Sequence, residues 1–179
     1  DLFGKQGAIG RGNIDNISIN LPRLALESVR DSKGCDISKR YEILKEKWIH
    51  VAEQTKDILL DRFEKTCQSD KDLFPTNQEC KLWCEDFSSN DLKDIFKHGT
   101  LSIGFIGLTE TIEILTGKKY WKDDDAYNLA LNFVRFMREY VDSQKNKYHL
   151  NFSLLATSGE LISGRFVDID KKLFDCDVL

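Results

Sequence analysis

The chain has 179 residues, about one domain if a domain takes roughly 150 residues, and enough to bury a sizeable core. Apolar residues make up 41%, charged residues 31%, and the net charge is −4. That composition excludes a disordered chain and gives no electrostatic reason to expect nucleic acid or a membrane surface as partner. The most apolar stretch, Leu101 to Leu108, is far shorter than the about 20 residues that span a bilayer. The polar, glycine-rich start from Asp1 to Gly12 shows no signal peptide, and the first residue, Asp rather than Met, reads as the edge of a processed or excised chain.

In chain order, the first extended segment is Asn16 to Leu21, limited by Pro22. Leu24 to Arg30 reads as a helical turn or two. Ser38 is a suitable N-cap for a long helix from Lys39 to Cys67. Its apolar positions are Tyr41, Leu44, Trp48, Val51, Ile58 and Phe63, with a polar interruption at Thr55. Gln68 to Ser89 reads as mostly loop, with a short helix around Lys81 to Glu85. Ser89 or Asn90 can cap a helix from Asp91 to Lys97, closed by His98-Gly99.

Thr100 to Phe105 reads as a second strand. It leads into a helix that ends near Thr116, with Gly117 as the residue after the cap. Asp123 to Asp125 open the next helix, where its dipole favours negative charge. One face of that helix carries Ala126, Leu129, Ala130, Phe133, Phe136, Met137 and Tyr140. Tyr148 to Ala156 is the third strand, and Thr157-Ser158-Gly159 turns it into a short helix or loop up to Phe166.

Strands alternating with helices define an α/β protein with parallel pairing. Each strand pairs a small polar face with a large apolar one. Ser18 and Asn20 oppose Ile17, Ile19 and Leu21. Thr100, Ser102 and Gly104 oppose Leu101, Ile103 and Phe105, and Asn151, Ser153 and Thr157 oppose Phe152, Leu154 and Ala156. An open doubly wound sheet would be apolar on both faces. The pattern suits either a barrel with helices outside and a polar lumen, or a sheet with one face in water.

Two turns are candidate sites. At Thr157-Ser158-Gly159, two hydroxyls and a glycine precede a helix N-terminus whose free N–H groups suit an anion; the same residues also suit a plain N-cap. In Gly10-Arg11-Gly12-Asn13 the glycines mark a bent or closely approached backbone. Asn13 there offers a neutral donor and acceptor to a hydroxylated ligand, or serves the turn. His98 reads as a helix-end residue, and His50 and His149 have no catalytic pattern around them. No G-x-S-x-G, P-loop or metal-binding pair is present. The five cysteines (Cys35, Cys67, Cys80, Cys84 and Cys176) lack zinc-site spacing and read as reduced, structural thiols of an intracellular chain.

Three blocks carry a family resemblance. Gly10-Arg11-Gly12-Asn13-Ile14 with Ser18-Ile19-Asn20-Leu21-Pro22-Arg23-Leu24-Ala25 is the first. Lys97-His98-Gly99-Thr100-Leu101-Ser102-Ile103-Gly104-Phe105-Ile106-Gly107-Leu108 is the second. Asn151-Phe152-Ser153-Leu154-Leu155-Ala156-Thr157 with Ser163-Gly164-Arg165-Phe166 is the third. In this order and spacing they resemble the anaerobic (class III) ribonucleoside-triphosphate reductases over nearly the whole chain.

The resemblance implies that residues 1–179 are part of a ten-stranded α/β barrel of the ribonucleotide reductase and glycyl-radical enzyme type. It implies reduction of ribonucleoside triphosphates by a glycyl radical that relays to a thiyl cysteine. It also implies structural zinc, nucleoside triphosphate effectors, a formate or dithiol reductant, and a cytoplasmic homodimer served by a radical-SAM activating protein. Asn13 falls where the family places an asparagine beside the substrate ribose. Thr157, Ser158 and Gly159 fall at the turn that receives the phosphates, reading Thr-Ser-Gly-Glu-Leu where the family commonly has Thr-Pro-Ala-Glu-Gly. Thr100 and Ser102 would line the lumen.

The family's thiyl cysteine stands in a Gly-Cys-Arg context just before the first block. None of the five cysteines matches it, and no glycyl-radical segment or zinc cluster is present. The chain is therefore expected to be inactive alone, with no catalytic residue and no bound cofactor of its own, and its exposed strand edges are expected to drive oligomerisation or rearrangement. The competing readings are a non-catalytic nucleotide-binding or assembly module and a helical interaction domain built on the Lys39–Cys67 helix. The last requires that the three polar-faced segments are not paired strands.

Overall fold

The computed structural model describes residues 2, 12–81 and 91–175. Three strands, β1 (Asn13–Asn20), β2 (Thr100–Ile106) and β3 (Asn151–Ala156), form one sheet in the order β1-β2-β3. The Thr100 N–H donates to Gly12 O at 2.8 Å and the Thr157 N–H to Phe105 O at 3.0 Å. Strand starts pair with starts and ends with ends, so the strands run parallel. This pairing overturns the helical-interaction reading. The helices are α1 (Leu21–Asp31), α2 (Ile37–Cys67), α3 (Pro75–Glu79), α4 (Leu92–Phe96), α5 (Leu108–Thr116), α6 (Asp124–Tyr148) and α7 (Glu160–Phe174).

Several boundaries differ from the sequence reading, each for a local reason. Leu21 begins α1 rather than ending β1, because the Asn20 side chain accepts the Arg23 N–H and caps the helix there. Pro22 then sits in the first turn, where its missing N–H costs nothing. Asp36, not Ser38, caps α2 by accepting the Lys39 N–H at 2.9 Å. Asp91, not Ser89 or Asn90, caps α4 through the Lys93 N–H.

Helix α6 runs through Tyr148, and β3 starts only at Asn151, after a left-handed His149 with φ 51°. Helix α7 runs on to Phe174. The loop read between 68 and 89 holds a 3-10 turn at Lys71–Leu73 and α3; most of the helix placed at Lys81 to Glu85 lies outside the described residues. The C-terminus of α5 is as expected, with Gly117 at φ 72° accepting the left-handed position.

The chain divides into two compact units, and both draw on all three strands. The first comprises Asp1–Ile17, Gln54–Ile103 and Arg138–Leu154. Its buried apolar residues include Leu59, Phe63, Ile95, Leu101, Ile103, Val141 and Phe152. Phe74 meets Phe96 edge-on at 5.1 Å, and Tyr148 lies 6.2 Å from Phe152. Lys56, almost fully buried, places its ammonium 5.5 Å from the Tyr148 ring centre and 3.2 Å from the Asp57 carboxylate, which offsets its desolvation.

The second unit comprises Ser18–Glu53, Gly104–Met137 and Leu155–Leu179. Leu21, Leu24 and Ala25 of α1, Leu44 and Trp48 of α2, Ile112 and Leu115 of α5, and Phe133 and Met137 of α6 are buried there. Helix α1 packs on α5. Gly107, at φ 81°, makes the turn from β2 into α5 against the Pro22 ring, a position with neither the torsion nor the space for a side chain. The Arg40 guanidinium donates to Leu115 O at 3.2 Å, satisfying a carbonyl at the end of α5.

Candidate functional site

In the first unit, strand pairing gathers small polar side chains into a chain of hydrogen bonds. Ser102 Oγ donates to Asn13 Oδ1 at 3.0 Å and lies 2.9 Å from Ser153 Oγ. A hydroxyl has one hydrogen. When the Ser102 hydrogen goes to Asn13, the hydrogen of the second bond comes from Ser153. The order of donation is therefore Ser153 to Ser102 to Asn13. It fixes the Asn13 amide with its oxygen turned to Ser102 and leaves the Nδ2 hydrogens for a further partner. Ser102 is buried at 4% exposure. Leu101 and Ile103 beside it are buried as well, so this central strand has neither face in water.

Asn151, at the start of β3, is fully committed. Its Nδ2 donates to Lys97 O at 3.2 Å and His98 O at 3.4 Å, and its Oδ1 accepts the Leu2 N–H at 2.9 Å. It ties the start of β3 to the turn that leads into β2. Thr100 opens β2 directly after that turn, and with His98 it lines a cavity of about 180 Å3. Burial, reinforced by Lys97 and opposed by Asp94, holds the His98 imidazole below its ordinary pKa.

In the second unit, Ser18 Oγ and Thr157 Oγ1 are 2.7 Å apart. Gly104 of the central strand lies beneath them. A Cβ there would fall 2.5 Å from Thr157 Oγ1 and 2.6 Å from Ser18 Oγ, so only glycine lets the two hydroxyls meet. Neither Thr157 nor Ser158 is the N-cap of α7: that residue is Gly159, which makes no side-chain cap bond. The cap of this turn is therefore Gly159 rather than a hydroxyl of Thr157 or Ser158. Ser158 is exposed. Gly159 is set against Ile106, whose Cδ1 would stand 2.6 Å from an added Cβ. Gly159 has no side chain to offer the backbone N–H groups that open this 15-residue helix.

A third polar cluster has no motif in the sequence to mark it. Asp170 of α7, 2% exposed, accepts from Arg23 Nε at 2.6 Å and from Asn20 Nδ2 at 2.8 Å. It borders a cavity of about 290 Å3 whose other lining includes Pro22, Ile106, Glu110 and Phe166.

Thus Asn13 and Ser102 are brought together, Thr157 meets Ser18, and Thr100, Ser158 and Gly159 stand singly. Gly10 and Arg11 lie outside the described residues, as do Cys84 and Cys176. Ser153 and Ser18 complete the hydrogen bonds, and their signal was the polar alternation of their own strands. Among the described residues no three His, Cys, Asp or Glu side chains are placed to hold a metal ion.

Parallel strands joined through helices and lined by hydroxyls and amides define an α/β domain with a polar-faced sheet. The family described as anaerobic ribonucleoside-triphosphate reductase matches residues 2–178, and the chain belongs to that family. The anaerobic ribonucleoside-triphosphate reductases of Salmonella typhimurium and Escherichia coli are each 30% identical over 174 residues, covering 96% of this chain and 23% of theirs. This chain therefore spans about a quarter of the length of these relatives.

Among solved structures, the Thermotoga maritima anaerobic ribonucleotide reductase in complex with dATP and CTP superposes with a TM-score of 0.65 at 18% identity, over 97% of this chain and 26% of that one. The same enzyme with glycerol in the active site gives 0.64 at 20%, over 95% and 26%. The fold is theirs; the described residues supply three of its strands. No described helix is long and apolar enough to cross a membrane.

Proposed function

We propose that this chain is a section of the catalytic barrel of an anaerobic ribonucleoside-triphosphate reductase, and that its strands and turns hold the ribonucleoside triphosphate. The observation that carries this reading is the hydrogen-bond order from Ser153 through Ser102 to Asn13 in a chain of that family. The order presents two amide hydrogens, a neutral donor pair suited to a ribose hydroxyl. Because the amide is oriented before substrate arrives, little is lost in ordering it on binding.

Thr100 and Ser102 extend the same polar surface. The 157–159 turn, with the glycine-capped start of α7 behind it, is assigned to the phosphates: free N–H groups and the positive end of the helix dipole both favour an anion. Ser158 and Gly159 there keep the approach small. Hydrogen abstraction at C3′ and loss of the 2′-hydroxyl as water require a thiyl cysteine and a glycyl-radical segment. No residue of this chain matches either, and no such step is assigned to it. The glycyl radical, zinc, nucleotide effectors, formate or dithiol reductant, radical-SAM activating protein, homodimer and cytoplasmic setting belong to the whole reductase in this reading.

The test is reduction of ribonucleoside triphosphates by the full-length reductase containing this section, purified without oxygen and activated. Asn13→Ala is expected to lower kcat/KM about 100-fold, by loss of a hydrogen bond strengthened during reaction, while the loss of the Ser102 acceptor lowers stability by only about 1–3 kcal/mol. Unchanged kcat/KM would favour the non-catalytic nucleotide-binding or assembly module instead. Sequencing the flanking coding region is the companion test: a Gly-Cys-Arg stretch shortly upstream of Gly10 is expected, and its absence overturns the reading.

A further inference from the structure

At the N-terminal ends of β2 and β3, the cavity of about 180 Å3 is lined from the strand side by His98, Thr100, Asn151 and Ser153, and from α6 by Arg138 and Lys145. Phe152 supplies its apolar wall, and among the described residues no carboxylate lines it. That concentration of positive charge contrasts with a chain of net charge −4.

The neighbouring acids leave the cations available. Asp142, one turn beyond Arg138, takes only the Nε hydrogen, at 2.8 Å, so the terminal fork of the guanidinium remains for a second oxyanion. Lys145 forms no ion pair among the described residues and stands in the last turn of α6, where the helix dipole favours a cation. Asp94 acts on His98 but only in opposition to burial and Lys97. Asn151 and Ser153 are committed to the wall, through the Lys97 and His98 carbonyls and through Ser102. The Thr100 hydroxyl is a further donor at the rim.

A drug-sized ligand needs roughly 300 Å3 or more. This cavity admits a single compact anion, or the end of a larger molecule. We propose that it is an oxyanion site for a phosphate group, free or as a phosphomonoester, held by the Arg138 fork and the Lys145 ammonium with Thr100 at its edge. The site shares Thr100 and Ser153 with the ribonucleotide reading and does not depend on it.

The test uses the full-length protein and reads Lys145 itself. Amine acetylation is followed peptide by peptide by mass spectrometry, with inorganic phosphate or glycerol 1-phosphate in one arm and sodium chloride of equal ionic strength in the other. Phosphate is expected to slow acetylation of Lys145 severalfold while leaving the neighbouring Lys147 unchanged, and Arg138→Gln is expected to abolish that protection. Arg138 is half exposed, so this substitution leaves folding intact. Protection by both phosphates assigns a site open to phosphomonoesters, and protection by the inorganic ion alone assigns a site for the free ion. Equal acetylation in all arms overturns the proposal, as does protection that survives Arg138→Gln.

Discussion

Ser18 and Thr157, 139 residues apart in the chain, share a hydrogen bond of 2.7 Å over the space that Gly104 leaves open on the strand between them. The first strand, the central strand and the turn after the third are thereby locked at one point. Gly104→Ala would push a methyl group against both oxygens. It is expected to destabilise the protein by about 1–3 kcal/mol, the usual cost of overpacking, read as a lower urea midpoint with unchanged slope. Gly164 in α7 is the control, because its added Cβ meets nothing within 4 Å. Gly164→Ala is expected to be neutral or to stabilise by up to about 1 kcal/mol. Equal midpoints for the two variants would show that the close approach at Gly104 carries no energetic weight.

That relationship marks the limit of what the sequence discloses. Alternation placed Ser18, Ser102, Gly104, Ser153 and Thr157 on polar faces, and the alternation is real. It does not say which strand neighbours which, nor where one register meets another. The partners of Ser102 are 89 and 51 residues away, so Ser153 and Ser18 were not recognised as parts of the site. Helix α2 shows the same limit on a smaller scale. Its length follows from its sequence, but its buried stripe is Leu44, Trp48, Ala52, Thr55, Lys56, Leu59 and Phe63, while Ile58 is 45% exposed. Spacing admits either Ile58 or Leu59. Tertiary packing selects Leu59, and Thr55, which looked like an interruption, is inside the stripe.

The Asp170 cluster provides a second measurement. Asp170 holds Arg23 and Asn20 at once, and the Arg23 Nη2 atom is buried without a hydrogen-bond partner. Removing the carboxylate leaves the rest of the guanidinium unpaired as well. Breaking such a pair costs about 3–5 kcal/mol when both groups are buried. Arg23 is 31% exposed, which lowers the expectation for Asp170→Ala to about 2–3 kcal/mol. Asp170→Asn keeps one acceptor and is expected to cost less. Chemical denaturation decides, and equal losses for the two variants would show that the acceptor kept by Asn contributes nothing beyond the lost charge.

Thiol reactivity should separate the described cysteines. Burial, aided by Glu64, pushes the Cys67 thiol up to about 11, so little thiolate is present at pH 8. Cys35 and Cys80 are exposed. Under native conditions iodoacetamide is expected to label both well before Cys67, and denaturant is expected to remove the difference. Peptide mass spectrometry with time would detect the contrary result, early labelling of Cys67, which would contradict its burial.

The pH dependence of stability should carry the signature of His98. Burial and Lys97 hold its imidazole below the ordinary value of 6.5, and Asp94 only partly offsets them. The unfolded chain therefore binds this proton more readily than the folded one. As pH falls below 6.5, the unfolded state gains a proton that the folded state still refuses, and stability declines. The decline stops once pH passes below the folded value, where both states are protonated. His98→Gln carries no titrating group and should flatten this part of the profile without altering stability above pH 7. Thermal unfolding of the two proteins between pH 5 and pH 8 tests it; parallel curves would mean that His98 titrates alike in both states.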